Sequence, residues 1–292
     1  MHLSSLIEGK QYLKYLWRRN ESIGSVHTLG ALHKGHGVLI RLSSQENKHT
    51  VVTIYPNKIQ LFPGLIYKHD LERDVKFAFE HGANVVITSH NHEMFPERYR
   101  TYINQGESHS KLNSSIFPFA AKGQVTGTIR WLNYTRSHRS YFGLKDIEQA
   151  ILVKRAVKDL LIECEIKYVP CIRYKNGVPI SSRLRFLDET LLLEVGGLYE
   201  ALEYGRQQIA IGQNQPDKII EIITRKLSKC LNKFKLLYLT LVDSVDFNQL
   251  NQIELPFIIH AAIQYQDLVH FDGIYIKNEK ELQCGTPVIW LD

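Results

Sequence analysis

The sequence predicts an α/β protein, a Rossmann-like doubly wound parallel sheet with a smaller C-terminal α+β lid domain, and three observations predict it. Short apolar runs rich in β-branched residues alternate with segments of helical period as far as residue 170. A glycine-bearing turn joins the first of these strands to the first helix. After Tyr174-Lys175-Asn176-Gly177-Val178-Pro179 the alternation stops, and two consecutive helical patterns precede further strands. The boundaries that follow are 1–178 for a nucleotide- and acid-binding domain and 179–292 for the lid.

In order, strands are expected near 22–27, 50–55, 84–88, 139–142 and 166–170, and helices over 36–46, 71–81, 124–136 and 147–161. In the lid, Asp188-Glu189-Thr190 starts a helix through Leu191-Leu192-Leu193, a second helix spans about 215–229, and strands follow near 236–241 and 257–262. The residues after Lys277 read as an undefined tail. Ligands of such open sheets bind beyond the carboxyl ends of the strands. His33, Asn57, Gln60, Lys145 and Asp146 all follow expected strands, so they are placed to converge on one crevice.

The chain has 292 residues, 44% of them hydrophobic and 23% charged, enough for a large core and a compact enzyme. The N-terminus has no signal-type pattern and no apolar run reaches membrane-spanning length, so the expected location is the cytoplasm, with no membrane partner. Cys164, Cys171, Cys230 and Cys284 lack metal or disulfide spacing and read as reduced thiols. The net charge of +6 is dispersed, which argues against a nucleic-acid partner and suits a phosphate-rich small ligand. The local concentration Arg130, Arg136, His138 and Arg139 reads as a solvated helix end. His90 and His92 read as an exposed loop, and no dedicated metal site is expected.

Within Gly24–His36, the signature His33-Lys34-Gly35-His36 falls where a strand hands over to a helix. Gly30 and Gly35 allow close backbone approach to an anion, and a helix N-terminus offers amide donors and a favourable dipole. Two imidazoles three apart project to one side of a first turn. The four residues alone read as a helix whose histidines merely cap or pack, and the surrounding sequence must decide.

The surrounding sequence resembles the pantothenate synthetase (pantoate–β-alanine ligase) family of the His-x-Gly-His nucleotidylyltransferase superfamily, in order through nearly the whole chain. Thr28-Leu29-Gly30-Ala31-Leu32-His33-Lys34-Gly35-His36 is similar to its Thr-Met-Gly-Ala-Leu-His-x-Gly-His, and Tyr55-Pro56-Asn57-Lys58-Ile59-Gln60 to its Val-Asn-Pro-x-Gln. Asp70-Leu71-Glu72-Arg73-Asp74, Gly82–Val86 and Glu93-Met94-Phe95-Pro96 follow its next helix, strand and loop. Phe142-Gly143-Leu144-Lys145-Asp146-Ile147-Glu148-Gln149 resembles Phe-Gly-x-Lys-Asp-x-x-Gln, and Ile180-Ser181-Ser182-Arg183 resembles Met-Ser-Ser-Arg.

The resemblance implies an ATP-dependent amide ligase working through an acyl-adenylate, with pantoate and β-alanine as acid and amine and with Mg²⁺ accompanying ATP. It implies His33, His36, Lys145 and Arg183 as catalytic residues. Leu29, Gly35, Asp146, Ser181 and Ser182 would bind nucleotide, and Asn57, Gln60 and Gln149 would bind the acid. A homodimer through the first domain is also implied. Asp146 can equally be a helix cap, and the two serines turn hydroxyls. The sequence departs from the family at His27 for Pro, Leu29 for Met, Ala120-Ala121 for His-Phe and Leu184 for Asn. These departures leave open a diverged ligase with another acid and amine, a nucleotidylyltransferase, or a noncatalytic relative.

Overall fold

Strands that are apolar on both faces must be covered by helices on both sides, and the first half of the chain has that composition. The computed structural model describes residues 1–60, 70–106, 111–184 and 187–291. The chain packs as two units: residues 1–109, 116–143 and 148–169, and residues 110–115, 144–147 and 170–292.

In the first unit, β1 (His2–Leu3), β2 (Ile23–Thr28), β3 (His49–Ile54), β4 (Val85–Thr88), β5 (Arg139–Gly143) and β6 (Glu165–Val169) form one parallel sheet in the order β1-β4-β3-β2-β5-β6. The order reverses between β2 and β5, the switch point at which such sheets open a crevice. Connections run through α1 (Leu6–Arg18), α2 (Lys34–Glu46), α3 (Leu71–Glu80), the one-turn α4 (Asn91–Met94), α6 (Ala120–Thr135) and α7 (Ile147–Asp159), while the one-turn α5 (Asn113–Ile116) falls mostly in the second unit. Ser5 Oγ caps α1 by accepting from Glu8 N at 3.3 Å, and Asp70 caps α3 through Arg73 N at 3.1 Å. Leu13 and Leu16 of α1 and Trp131 of α6 pack with Ile23, Val51, Val85 and Ile87. Each such aliphatic side chain contributes about 1.5–3 kcal/mol by leaving water.

The expected strands and helices of this unit are present, with instructive differences. β1 is only two residues, too short to carry a period, and is held by the Val86 amide donating to the Met1 carbonyl at 2.9 Å. Helix α6 starts at Ala120 rather than at 124, so Ala120-Ala121 form its first turn. Arg130 is not a solvated end residue: its guanidinium lies 4.8 Å from the Tyr99 ring centroid and 5.5 Å from that of Phe95. Arg139 is paired with Glu165 at 3.1 Å.

The second unit contains β7 (Cys171–Tyr174), α8 (Glu189–Ala210), α9 (Pro216–Cys230), β8 (Lys235–Asp243), β9 (Phe257–Tyr265), β10 (Leu268–Ile276), α10 (Glu279–Cys284) and β11 (Val288–Leu291). β8, β9 and β10 make an antiparallel sheet, and β11 pairs in parallel with β7. Its core joins Val195, Leu198 and Leu202 of α8 and Ile219, Ile223 and Leu227 of α9 to Ile259, Ala261 and Ile274 of the sheet. The expected tail after Lys277 is ordered instead. Asn278 caps α10 by accepting from Glu281 N at 3.0 Å, and Trp290 of β11 packs edge-on to Tyr199, a nonlocal pairing that a four-residue strand does not announce.

A buried ion pair ties this unit together. Arg173 Nη1 and Nη2 donate to Asp272 Oδ2 and Oδ1 at 2.7 and 2.6 Å, Nη1 also reaches the Gly177 carbonyl at 3.0 Å, and the guanidinium covers Tyr199 at 3.8 Å. Burial alone would push the Asp272 carboxyl up, and the guanidinium overrides it, leaving the carboxyl below its ordinary value. Removing one partner of such a pair strands a buried charge, which costs about 3–5 kcal/mol.

Three imidazoles are also poorly solvated, His260 and His270 buried and His27 half-buried in the sheet. Burial holds His27 at about 3, His260 at about 4 and His270 at about 3. In the unfolded chain they bind protons near pH ~6.5, so the folded state carries fewer protons below that pH. Stability from these groups is fully present above pH ~6.5 and falls on acidification toward their folded values, by about 1.4 kcal/mol per pH unit for each histidine. Urea unfolding at pH 7.5, 6.0 and 5.0 should therefore give a falling stability. Equal stability across that range would contradict the neutral burial of these rings.

Candidate active site

The junction between β2 and α2 is the best-defined part of the candidate site. Thr28 ends β2, and its Oγ donates to the Thr53 carbonyl at 3.0 Å while its own carbonyl accepts from Tyr55 N at 3.0 Å. The backbone then turns through the left-handed region, with φ of 100° at Gly30 and 50° at Ala31. The amides of Ala31 and Leu32 both end on the buried carboxylate of Asp74, at 2.6 and 2.8 Å. His33 is the N-cap residue of α2, so the helix begins at Lys34 instead of His36.

His36 sits in the first turn, three residues after His33, and its Nδ1 accepts from the His33 amide at 3.3 Å. The two rings lie 4.0 Å apart between centroids, which realises the same-side arrangement expected from their spacing. Acidic residues are favoured in a helix first turn because they offset the dipole, and α2 carries none there. Its buried Gly35 and half-buried histidines therefore present a donor-rich end suited to an anion. Leu29 is half-buried in the same turn.

Asn57 and Gln60 follow β3, the strand paired with β2. Asn57 Nδ2 donates to Gln60 Oε1 at 3.1 Å and to the Gly123 carbonyl of α6 at 3.0 Å, while Asn57 Oδ1 accepts from Ile59 N at 3.1 Å. The fully used Asn57 amide thus orients Gln60, whose Nε2 is directed away from it. Gln149, half-buried in the first turn of α7, belongs to the same unit.

The remaining residues singled out in the sequence lie in the second unit. Lys145 and Asp146 form a short 3-10 turn, with Nζ 3.2 Å from Oδ1; Lys145 is mostly buried and Asp146 mostly exposed. Ser181 Oγ accepts from the Arg183 amide at 3.3 Å, a serine turn that leaves the Arg183 side chain exposed beside half-buried Ser182. The preceding hairpin is closed by Ile180 N donating to the Ile172 carbonyl at 3.0 Å and by the Arg173 contacts described above. Asp272, Lys145, Arg173 and Arg183 all act electrostatically on His270.

Two of the four sequence departures are explained by packing. The His27 ring nitrogens lie 3.1 Å from Ser25 Oγ and 2.9 Å from Thr53 Oγ1, and the ring stacks on Trp131, so it is a satisfied sheet histidine. Leu184 is buried in the core of the second unit. Ala121 is buried at the start of α6, where the resembled family carries a larger side chain. Asp74 and the Arg173–Asp272 pair were not singled out in the sequence. The available signal was an acid at a core-facing position of a helix, since Asp74 and Ala78 are the buried residues of α3. Among the described residues no cluster of three or more His, Cys, Asp or Glu could hold a metal, and His90 and His92 are exposed and stacked.

Comparison with known proteins adds to this geometry. The family model described as Pantoate-beta-alanine ligase matches residues 3–274. A pantothenate synthetase of Caldicellulosiruptor bescii is 31% identical over 274 residues, covering 92% of this chain and 96% of that protein. The crystal structure of pantothenate synthetase from Thermus thermophilus is similar with a TM-score of 0.87 at 26% identity, covering 95% of this chain and 99% of that one. A pantoate-β-alanine ligase from Francisella tularensis, crystallised with β-γ ATP and β-alanine, shares the fold with a TM-score of 0.77 at 24% identity, covering 94% and 97%.

The seating of α6 on the Asn57–Gln60 segment depends on Gly123, where a Cβ would lie 2.8 Å from Ile59 C and 2.9 Å from Gln60 N. Gly123→Ala should destabilise the protein by about 1–3 kcal/mol through overpacking against backbone. Gly143→Ala, whose Cβ meets nothing within 4 Å, should stay within about 0.5 kcal/mol of the unaltered protein. Equal urea midpoints for the two variants would contradict this close approach.

Proposed function

The chain belongs to the pantoate–β-alanine ligase family, and from that premise we propose that it condenses pantoate with β-alanine, consuming ATP and forming pantothenate, AMP and pyrophosphate. The observation that carries the reading is the placement, in one unit, of the α2 N-terminus with His33 and His36 and of the Asn57–Gln60 amides after the paired strands β2 and β3. One element suits phosphates and the other suits the hydroxyls and carboxylate of a small acid.

The chemistry runs in two steps. A pantoate carboxylate oxygen attacks the α-phosphorus of ATP, the bond to the β-phosphate oxygen breaks, and pyrophosphate leaves. The amine of β-alanine then attacks the acyl carbon, the C–O bond to the adenylate breaks, and AMP departs with that oxygen. Neither step needs a protein nucleophile, so the residues act by positioning and by neutralising developing charge. His33 and His36 donate to phosphate oxygens from the helix terminus, Lys145 brings a point charge to the α-phosphate, and Arg183 grips phosphate through two N–H groups. Ser181, Ser182, Asp146, Gly35 and Leu29 hold the nucleotide. Asn57, Gln60 and Gln149 hold the acid.

Mg²⁺ suits this reading as a companion of the ATP phosphates, a cation that keeps several waters and needs few protein ligands. No helix among the described residues is long and apolar enough to cross a membrane. A cytoplasmic homodimer is part of the proposal, supported by the family resemblance.

Incubation with ATP, Mg²⁺, pantoate and β-alanine should yield AMP, pyrophosphate and pantothenate in equal amounts. Lys145→Met should lower kcat by about 100-fold or more without changing thermal stability. AMP and an amide formed only with another acid and amine, or pyrophosphate without either product, would overturn the assignment of pantoate and β-alanine.

A further inference from the structure

The turn that starts α2 is under a constraint that the proposed chemistry does not use. Ala31 has φ of 50° and follows Gly30 at 100°. A left-handed backbone is costly for any residue with a Cβ, so Ala31 persists there only if its surroundings hold it. What holds it is one side chain from a different element. Asp74 lies on α3 with no solvent exposure, and its two oxygens accept separately from the Ala31 and Leu32 amides at 2.6 and 2.8 Å. The carboxylate therefore satisfies two consecutive donors that would otherwise be buried with no partner in the secondary structure. It also sets where His33, the next residue, can cap the helix.

Resting on the ligase reading, we propose that Asp74 is a positioning residue for nucleotide binding. It acts without touching substrate. Its carboxylate locks the Gly30–Leu32 turn in its left-handed form, and through that turn it fixes His33, His36 and the amide donors of α2 in the geometry that receives the ATP phosphates. Neighbouring Arg73 meets the same turn: its guanidinium lies 3.8 Å from Asp74 Oδ1 and donates to the Leu32 carbonyl at 3.4 Å.

The chemistry of the pair allows a sharp substitution. Asp74→Asn keeps the volume but can offer an acceptor oxygen to only one of the two amides, and its NH₂ group faces the other donor. In that background Ala31→Gly should help, because glycine adopts the left-handed conformation without a Cβ penalty and depends less on the clamp.

The experiment combines amide hydrogen exchange with steady-state kinetics on the full chain. In the unaltered protein the Ala31 and Leu32 amides should be among the slowest to exchange, and in Asp74→Asn they should exchange about 100-fold faster while the strand amides of β3 stay protected. The KM for ATP should rise about tenfold in Asp74→Asn, with the KM values for pantoate and β-alanine changed less than about twofold, and Ala31→Gly should recover a large part of the ATP effect. Fast exchange of those two amides in the unaltered protein would overturn the clamp, whether or not any variant folds. A folded Asp74→Asn with unchanged ATP KM, or one that loses all three substrates in proportion to its thermal stability, would overturn the positioning role. Failure of the unaltered protein to bind ATP would instead sink the ligase reading, with the exchange result still deciding the clamp.

Discussion

One buried carboxylate meeting two consecutive backbone amides sets the geometry on which the first unit depends. Without the Asp74 bonds to Ala31 and Leu32, the chain leaving β2 has no reason to pass through two successive left-handed residues. With them, α2 begins at a defined point, its N-cap His33 following the turn that leaves β2, the strand paired with β3. The parallel sheet contributes the other half of the constraint. Its strands β2, β3 and β4 are buried on both faces, so register is fixed by packing, and residues leaving neighbouring strands must emerge side by side.

In the second unit the corresponding constraint is electrostatic. The Arg173–Asp272 pair engages both Asp272 oxygens and ties the hairpin after β7 to the antiparallel sheet through the Gly177 carbonyl. That hairpin delivers Ser181, Ser182 and Arg183 as a short turn. Lys145 is held against its neighbour Asp146. The backbone that carries these motif residues is thus tied to the second unit by hydrogen bonds and the buried ion pair.

Much of this was legible in the sequence because the relevant signals are local. The strand–helix alternation marked the parallel sheet, and Gly30 with His33 and His36 marked the helix start to within two residues. What escaped was nonlocal. The two residues of β1 and the four of β11 become strands only by pairing with distant partners, Val86 and Ile87 for one and Cys171 to Tyr174 for the other. His27 and Leu184 read as departures from the family that left the acid and amine open, and packing shows one as a hydrogen-bonded sheet residue and the other as core. Asp74 lay inside a recognised motif, yet its role depends on where a loop 43 residues earlier in the chain is carried by the fold.

The most direct test of the central claim follows one oxygen atom. The protein is incubated with ATP, Mg²⁺, β-alanine and pantoate labelled with ¹⁸O in both carboxylate oxygens, and the AMP and pantothenate are weighed by mass spectrometry. Attack of the carboxylate on the α-phosphorus predicts AMP carrying one ¹⁸O and pantothenate retaining one. AMP without label, or label leaving in inorganic phosphate alongside ADP, would contradict adenylation of the acid at this site.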